Sequence, residues 1–157
     1  MSKSLKRVRA AIEAAGLKTD LREMANETRT AQMAADAVGC DIDQIAKSIQ
    51  FRGEESGTLW LFVTAGGQRV DQDRAARLAK EPLGPADAAT IRRITGFAIG
   101  GVAPIGHLTP PKGFFDRHLL NFARIWAAAG TPRHVFGVEP EALLATSGLV
   151  LADFTVS

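Results

Sequence analysis

The chain has 157 residues, of which 46% are hydrophobic and 23% charged, a size and balance that suit one hydrophobic core and exclude collagen-like, coiled-coil and disordered classes. Lys and Arg number 19 against 17 Asp and Glu, a formal net charge of +2, too little for tight sequence-indifferent binding through counterion release. No DNA partner is expected, and an RNA partner would have to be held locally.

The chain opens with an amphipathic helix: Leu5, Val8 and Ile12 recur at helical spacing between Ser4, a candidate N-cap, and Gly16. After an extended piece over 20–24, Thr30 can cap a second helix carrying Met33, Ala34, Ala37 and Val38 and stopped by Gly39. Asp41 and Gln44 have capping-box spacing, but the residues beyond them alternate as a strand. Ile45, Lys47, Ile49 and Phe51 fall on one face, and Ala46, Ser48 and Gln50 on the other. A polar loop over 52–58 leads into a second strand over 59–63. The Ala65-Gly66-Gly67 turn and Asp71 precede a helix with Ala75, Leu78 and Ala79, and 82–85 is a Pro/Gly break. A short helix over 86–95 ends at Gly96, and Phe97, Ala98 and Ile99 make a brief strand that enters a glycine-rich loop over 100–106. An extended piece through Phe114 and Phe115 ends at Asp116. Strands over 124–128 and 134–138 flank Gly130-Thr131-Pro132, Pro140 starts a last helix closed by Gly148, and 149–156 is a final strand. Strands broken by helices at irregular intervals predict an α/β (α+β) fold, a mixed, partly closed sheet with helices around it, in one domain over 1–157. No GxGxxG or GxxxxGK[ST] follows a strand, which removes the usual nucleotide folds.

Cys40 stands alone, so no disulfide framework exists and a reducing compartment is expected. His107, His118 and His134 show neither i,i+4 spacing nor a CxxC partner, so no metal and no cofactor are predicted. The charged start lacks an apolar h-region, and no stretch approaches the run of about 20 apolar residues that crosses a bilayer. A soluble cytoplasmic protein with no membrane partner is the expectation.

Lys47 is the sharpest candidate for chemistry. An ammonium on an apolar strand face loses hydration unless an anion or other acceptor compensates it, and that partner is either internal, solvent reached by snorkelling, or a ligand phosphate or carboxylate. The 100–106 loop is the second, because glycines let backbone amides converge on a developing oxyanion, although glycine turns also serve as plain connections. Asp116 and His107 are weaker: the first can equally cap the segment after it, the second can be a loop residue.

The order of these pieces, Asp43-Gln44-Ile45-Ala46-Lys47-Ser48-Ile49, then Thr95-Gly96-Phe97-Ala98-Ile99 with the GxxxP run Gly100-Gly101-Val102-Ala103-Pro104, then Phe115-Asp116, then 126–130, resembles the YbaK / prolyl-tRNA editing domain family over nearly the whole chain. The resemblance implies a free-standing trans-editing hydrolase that works beside prolyl-tRNA synthetase and cleaves a small non-cognate amino acid from tRNA. It implies that Lys47 anchors the 3′ end of the aminoacyl-tRNA while Gly100 and Gly101 hold the ester carbonyl and a water. It also implies that Ile49, Val102, Ala103, Pro104, Gly106, His107 and Asp116 surround the substrate. Ala103 replaces a hydroxyl residue common in the family, and the chain has no tyrosine to line a pocket as in some members. An aminoacyl ester is already activated, so a site without metal, triad or strong base is chemically sufficient. The alternative is a non-catalytic module on the same fold that binds tRNA or a synthetase.

Overall fold

In the computed structural model, which describes residues 2–157, the first helix starts earlier than Ser4. A cap needs non-helical backbone angles, and Ser2, at φ −67° and ψ 154°, has them; its hydroxyl accepts the Leu5 amide at 3.1 Å and begins α1 (Lys3–Ala15). Leu5, Val8 and Ile12 form its buried stripe as their spacing requires, and Gly16 ends it in the left-handed region. After β1 (Asp20–Glu23), α2 (Ala31–Val38) is capped by Thr30 and closed by Gly39. Its buried face is Ala34 and Ala35, with Ala31 and Val38 packed beside them, whereas Met33 and Ala37 face outward. Asp41 and Gln44 do close a capping box, on one 3₁₀ turn, and the chain then extends.

β2 (Ile45–Gly53) and β3 (Leu59–Ala65) form the longest pairing of the molecule, antiparallel from Ala46 opposite Ala65 to Arg52 opposite Leu59. α3 (Gln72–Ala79) follows, and the Pro/Gly break is itself a short strand, β4 (Leu83–Pro85), paired with the end of β2. α4 (Ala88–Thr95) is capped by Asp87. The expected strand at 97–99 does not form. Thr95 Oγ1 takes the Phe97 amide at 3.0 Å, the Gly101 amide turns back to Ala98 O at 3.0 Å, and no neighbouring strand meets this stretch. β5 (Lys112–Asp116), β6 (Ile125–Ala128), β7 (His134–Val138), α5 (Pro140–Ser147) and β8 (Val150–Ala152) complete the chain. The last strand is shorter than its apolar run, because Phe154 turns into the core and Thr155 makes only an isolated bridge to Val70.

All eight strands belong to one mixed sheet, open along the order β1-β7-β6-β2-β3-β5-β8 with β4 beside β2. One face carries the main core, where Val8, Leu61, Phe97, Phe115, Phe136 and Leu143 are sealed from solvent. The other face holds two smaller clusters, one of Ala34, Ala35, Ile45, Trp126 and Val135, and one built on Phe62, Phe114 and Phe154. Each fully buried phenylalanine contributes about 1.5–3 kcal/mol. The strand alternation read from sequence holds, with Lys47 on a face shared with Ile45, Ile49 and Phe51 of the two smaller clusters, while Ala46 on the other face enters the main core. No helix among the described residues is long and apolar enough to cross a membrane.

Glu81 fastens the β2–β3 loop by accepting the Glu55 and Ser56 amides, the Ser56 hydroxyl and the Trp60 indole N–H. These bonds, the Ser56 hydroxyl first, hold its carboxyl at a pKa of about 2. A pKa depressed by folding means stability fully present above the ordinary carboxylate range and lost as pH falls toward 2. Thermal midpoints measured between pH 5 and pH 2 are expected to fall more steeply for the wild type than for Glu81→Gln, whose loop cannot titrate.

Candidate functional site

β2 shares one edge fully with β3, but its other edge is only partly covered. There β6 pairs in parallel with Ile45 and Ala46, and β4 pairs with 51–53. Between them, residues 47–50 have no strand partner, so alternate amides and carbonyls of this stretch face open space. The gap is the middle of a hollow of about 680 Å³ that passes around the strand edge. Lys47, Ser48, Ile49 and Gln50 line it, together with Gly100 and Val102 of the GxxxP loop, Ile91 of α4, and Trp126, Thr131 and His134 from the β6–β7 hairpin.

The Lys47 ammonium donates to Gln68 O at 2.6 Å and Gly66 O at 3.2 Å. Its partners are therefore internal carbonyls from the glycine turn after β3, which leaves one of its three N–H donors uncommitted. Burial pushes its pKa down, and the carboxylates of Asp43 and Asp116 act against that and favour the cation. Asp43 is itself fixed, accepting the Gly67 amide at 2.7 Å and the Gln68 carboxamide at 3.1 Å. Lys47 also borders a second hollow of about 550 Å³ with Ile49, Phe51, Arg69 and Asp71.

The glycine-rich loop is braced from α1. Arg7 donates to Gly96 O at 2.7 Å and to Gly106 O at 3.2 Å, and its guanidinium lies 4.9 Å from the centre of the Phe97 ring. The Leu108 amide meets Thr95 O at 3.0 Å, which ties the two ends of the loop together. His107 belongs to this brace: its ring N–H donates to Ala103 O at 2.5 Å and its edge meets Phe97. Burial holds its pKa below the usual histidine value, against the Ala103 bond, with Arg7 adding to the depression. Gly100 sits at φ +89°, where a side chain would be strained.

Of the residues singled out in sequence, the structure brings Lys47, Ile49, Gly100 and Val102 around one hollow. Gly101, Ala103 and Pro104 lie buried behind its lining, and the Gly101 amide is spent on Ala98 O. Among the described residues, no backbone acceptor holds the amides of Gly100 and Val102. Gly106 is packed against Arg7 and Val8. Asp116, 1% exposed, caps the turn after β5 and accepts the Ala65 amide and the His118 ring, so it supports the lysine from beneath and does not line the hollow. Gln50, Thr131 and His134 were not anticipated. Thr131 Oγ1 and His134 Nδ1 are 2.6 Å apart on the hollow's rim, and only a polar pair flanking a strand start marked them in the sequence. No group of three His, Cys, Asp or Glu placed to hold a metal occurs among the described residues.

The profile of the family described as "Aminoacyl-tRNA editing domain" matches residues 25–146, and the chain belongs to this family. A solved structure of a candidate trans-editing enzyme for prolyl tRNA synthetase superposes with TM-score 0.90 at 44% identity, over 100% of this chain and 99% of that one. Hypothetical protein APE2540 superposes with TM-score 0.87 at 27% identity, covering 96% of this chain and 99% of its own. The uncharacterized protein YwhH of Bacillus subtilis (strain 168) is 29% identical over 140 residues, 89% of this chain and 88% of its own.

A side chain at Gly101 would come within 2.8–3.0 Å of the Thr131 backbone, and neither segment can yield without opening the hollow's rim. Gly101→Ala is expected to lower stability by about 1–3 kcal/mol, read as a fall in the denaturation midpoint by urea.

Proposed function

We propose that the protein is a trans-editing deacylase that hydrolyses the ester between a small non-cognate amino acid and tRNA, with tRNA-Pro as the carrier, in the cytoplasm beside prolyl-tRNA synthetase. The observation that carries this reading is that Lys47, Gly100 and Val102 open onto one hollow around an unpaired strand edge. The family membership supports editing, and the neighbour linked to prolyl tRNA synthetase supports the choice of tRNA.

In this reading the free N–H of Lys47 receives the phosphate of the terminal nucleotide, and Arg69 in the adjoining hollow adds a second cation. The acyl group crosses the strand edge to the glycine loop. There the Gly100 and Val102 amides receive the carbonyl oxygen as it gains charge, which is the largest single service such a site can render. Water attacks the carbonyl carbon, the bond to the ribose oxygen breaks, and that oxygen takes a proton, with the neighbouring ribose hydroxyl as carrier. The walls around Ile91, Ile99 and Val102 limit the acyl side chain by size, and one methylene there is worth about 1–3 kcal/mol. Hydrolysis requires no cofactor in this scheme, and residues 1–157 act as one unit.

The test uses tRNA-Pro charged with alanine, serine, cysteine or proline, with the wild type beside Lys47→Ala. Selective release of a small non-cognate amino acid is expected, with kcat/KM reduced about 10- to 100-fold in the variant, the worth of one charged hydrogen bond. Binding without turnover across the panel would establish the non-catalytic module instead.

A further inference from the structure

Two buried side-chain oxygens among the described residues have no hydrogen-bond partner, Ser48 Oγ and Gln50 Oε1. Both residues line the main hollow. They are two positions apart on β2, so they leave the same face, about 7 Å apart along the strand. That face is the one shared with Ala46, which packs into the cluster containing Val102 and Ala103. Native folds rarely leave buried acceptors unsatisfied, and an exception at a cavity wall marks a ligand donor.

Resting on the deacylase reading, we propose that Gln50 Oε1, seconded by Ser48 Oγ, receives the free α-amino group of the acyl moiety. The argument is one of chemistry and place. If the ester carbonyl lies at Gly100 and Val102, the amino nitrogen is two bonds from the carbonyl carbon and must meet the adjacent wall. No Asp or Glu among the described residues lines the hollow, so none of them offers it a carboxylate. Ile91, Ile99 and Val102 offer no side-chain acceptor, and Thr131 Oγ1 and His134 Nδ1 on the rim are already bonded to each other at 2.6 Å. An amino group carries up to three donors, and a site built to bond a polar group rejects an analogue lacking it far more strongly than an apolar pocket rejects a methylene. The substrate class is thereby narrowed to tRNA esters with an unblocked α-amine. A peptidyl or N-acylated ester keeps only one N–H donor at that nitrogen and is expected to react more slowly.

The experiment compares alanyl-tRNA with propionyl-tRNA, which lacks only the amino group, on wild type, Gln50→Leu and Gln50→Glu. Gln50→Leu should lower kcat/KM for alanyl-tRNA about 10- to 100-fold and leave propionyl-tRNA within about twofold. Gln50→Glu, which keeps the acceptor, should retain the preference for the amine. Because Gln50→Leu removes an unsatisfied buried oxygen, its thermal midpoint should equal or exceed that of the wild type, which a purely structural role would not allow. Equal loss on both esters, or loss on neither, overturns the assignment while leaving the deacylase reading intact. Turnover of neither ester, nor of seryl- or cysteinyl-tRNA, by wild type defeats that reading, and this assignment with it.

Discussion

The site depends on one incomplete pairing. β2 is nine residues long, and on its outer edge it meets two short strands, β6 at one end and β4 at the other, with nothing between. An unpaired edge inside a sheet leaves backbone donors and acceptors that solvent or a ligand must satisfy. Here that edge is walled by α2, α4 and the β6–β7 hairpin, so it becomes the floor of a hollow and not a surface for another strand. Because side chains alternate across a strand, the same four residues present a cation to one face and neutral oxygens to the other.

That division separates two electrostatic tasks. On the Lys47 side, the carbonyls of Gly66 and Gln68 accept from the ammonium, and the carboxylates of Asp43 and Asp116 work against the burial that lowers its pKa. A charge held this way stays available to an incoming anion. On the Gly100 side the lining combines backbone amides, the apolar walls of Ile91 and Val102 and two neutral oxygens. A low-polarity wall strengthens the few polar contacts it contains, which suits recognition of a small reacting group.

Much of this was legible in the chain. The stripe of Leu5, Val8 and Ile12, the Asp41/Gln44 box, and the alternation that marks Lys47 as out of place all follow from spacing and hold in three dimensions. Two kinds of feature were not legible. Ile45 and Ile49 do meet hydrophobic clusters, but which face of β2 meets the larger core depends on what arrives from 97–105 and 125–143, and small Ala46 is that contact. The stretch 97–99 has strand composition, yet pairing is a property of neighbours, and Thr95 and Arg7 claim its backbone first. His134 and Thr131 reach the hollow only through the β6–β7 hairpin, a relation that linear distance hides. The family resemblance located the lysine and the glycine loop, but not the orphaned oxygens of Ser48 and Gln50.

The brace from α1 has a consequence for how the site comes into being. Arg7 bonds carbonyls 89 and 99 residues further along the chain, so its guanidinium finds its place only after that intervening stretch has folded back onto α1. Helix α1 also precedes the stretch 25–146 that carries the family's signature. A fragment cut at that boundary would keep every residue on the hollow's wall and lose the strut that shapes it. The structural support of the hollow thus extends beyond the segment that the family profile matches.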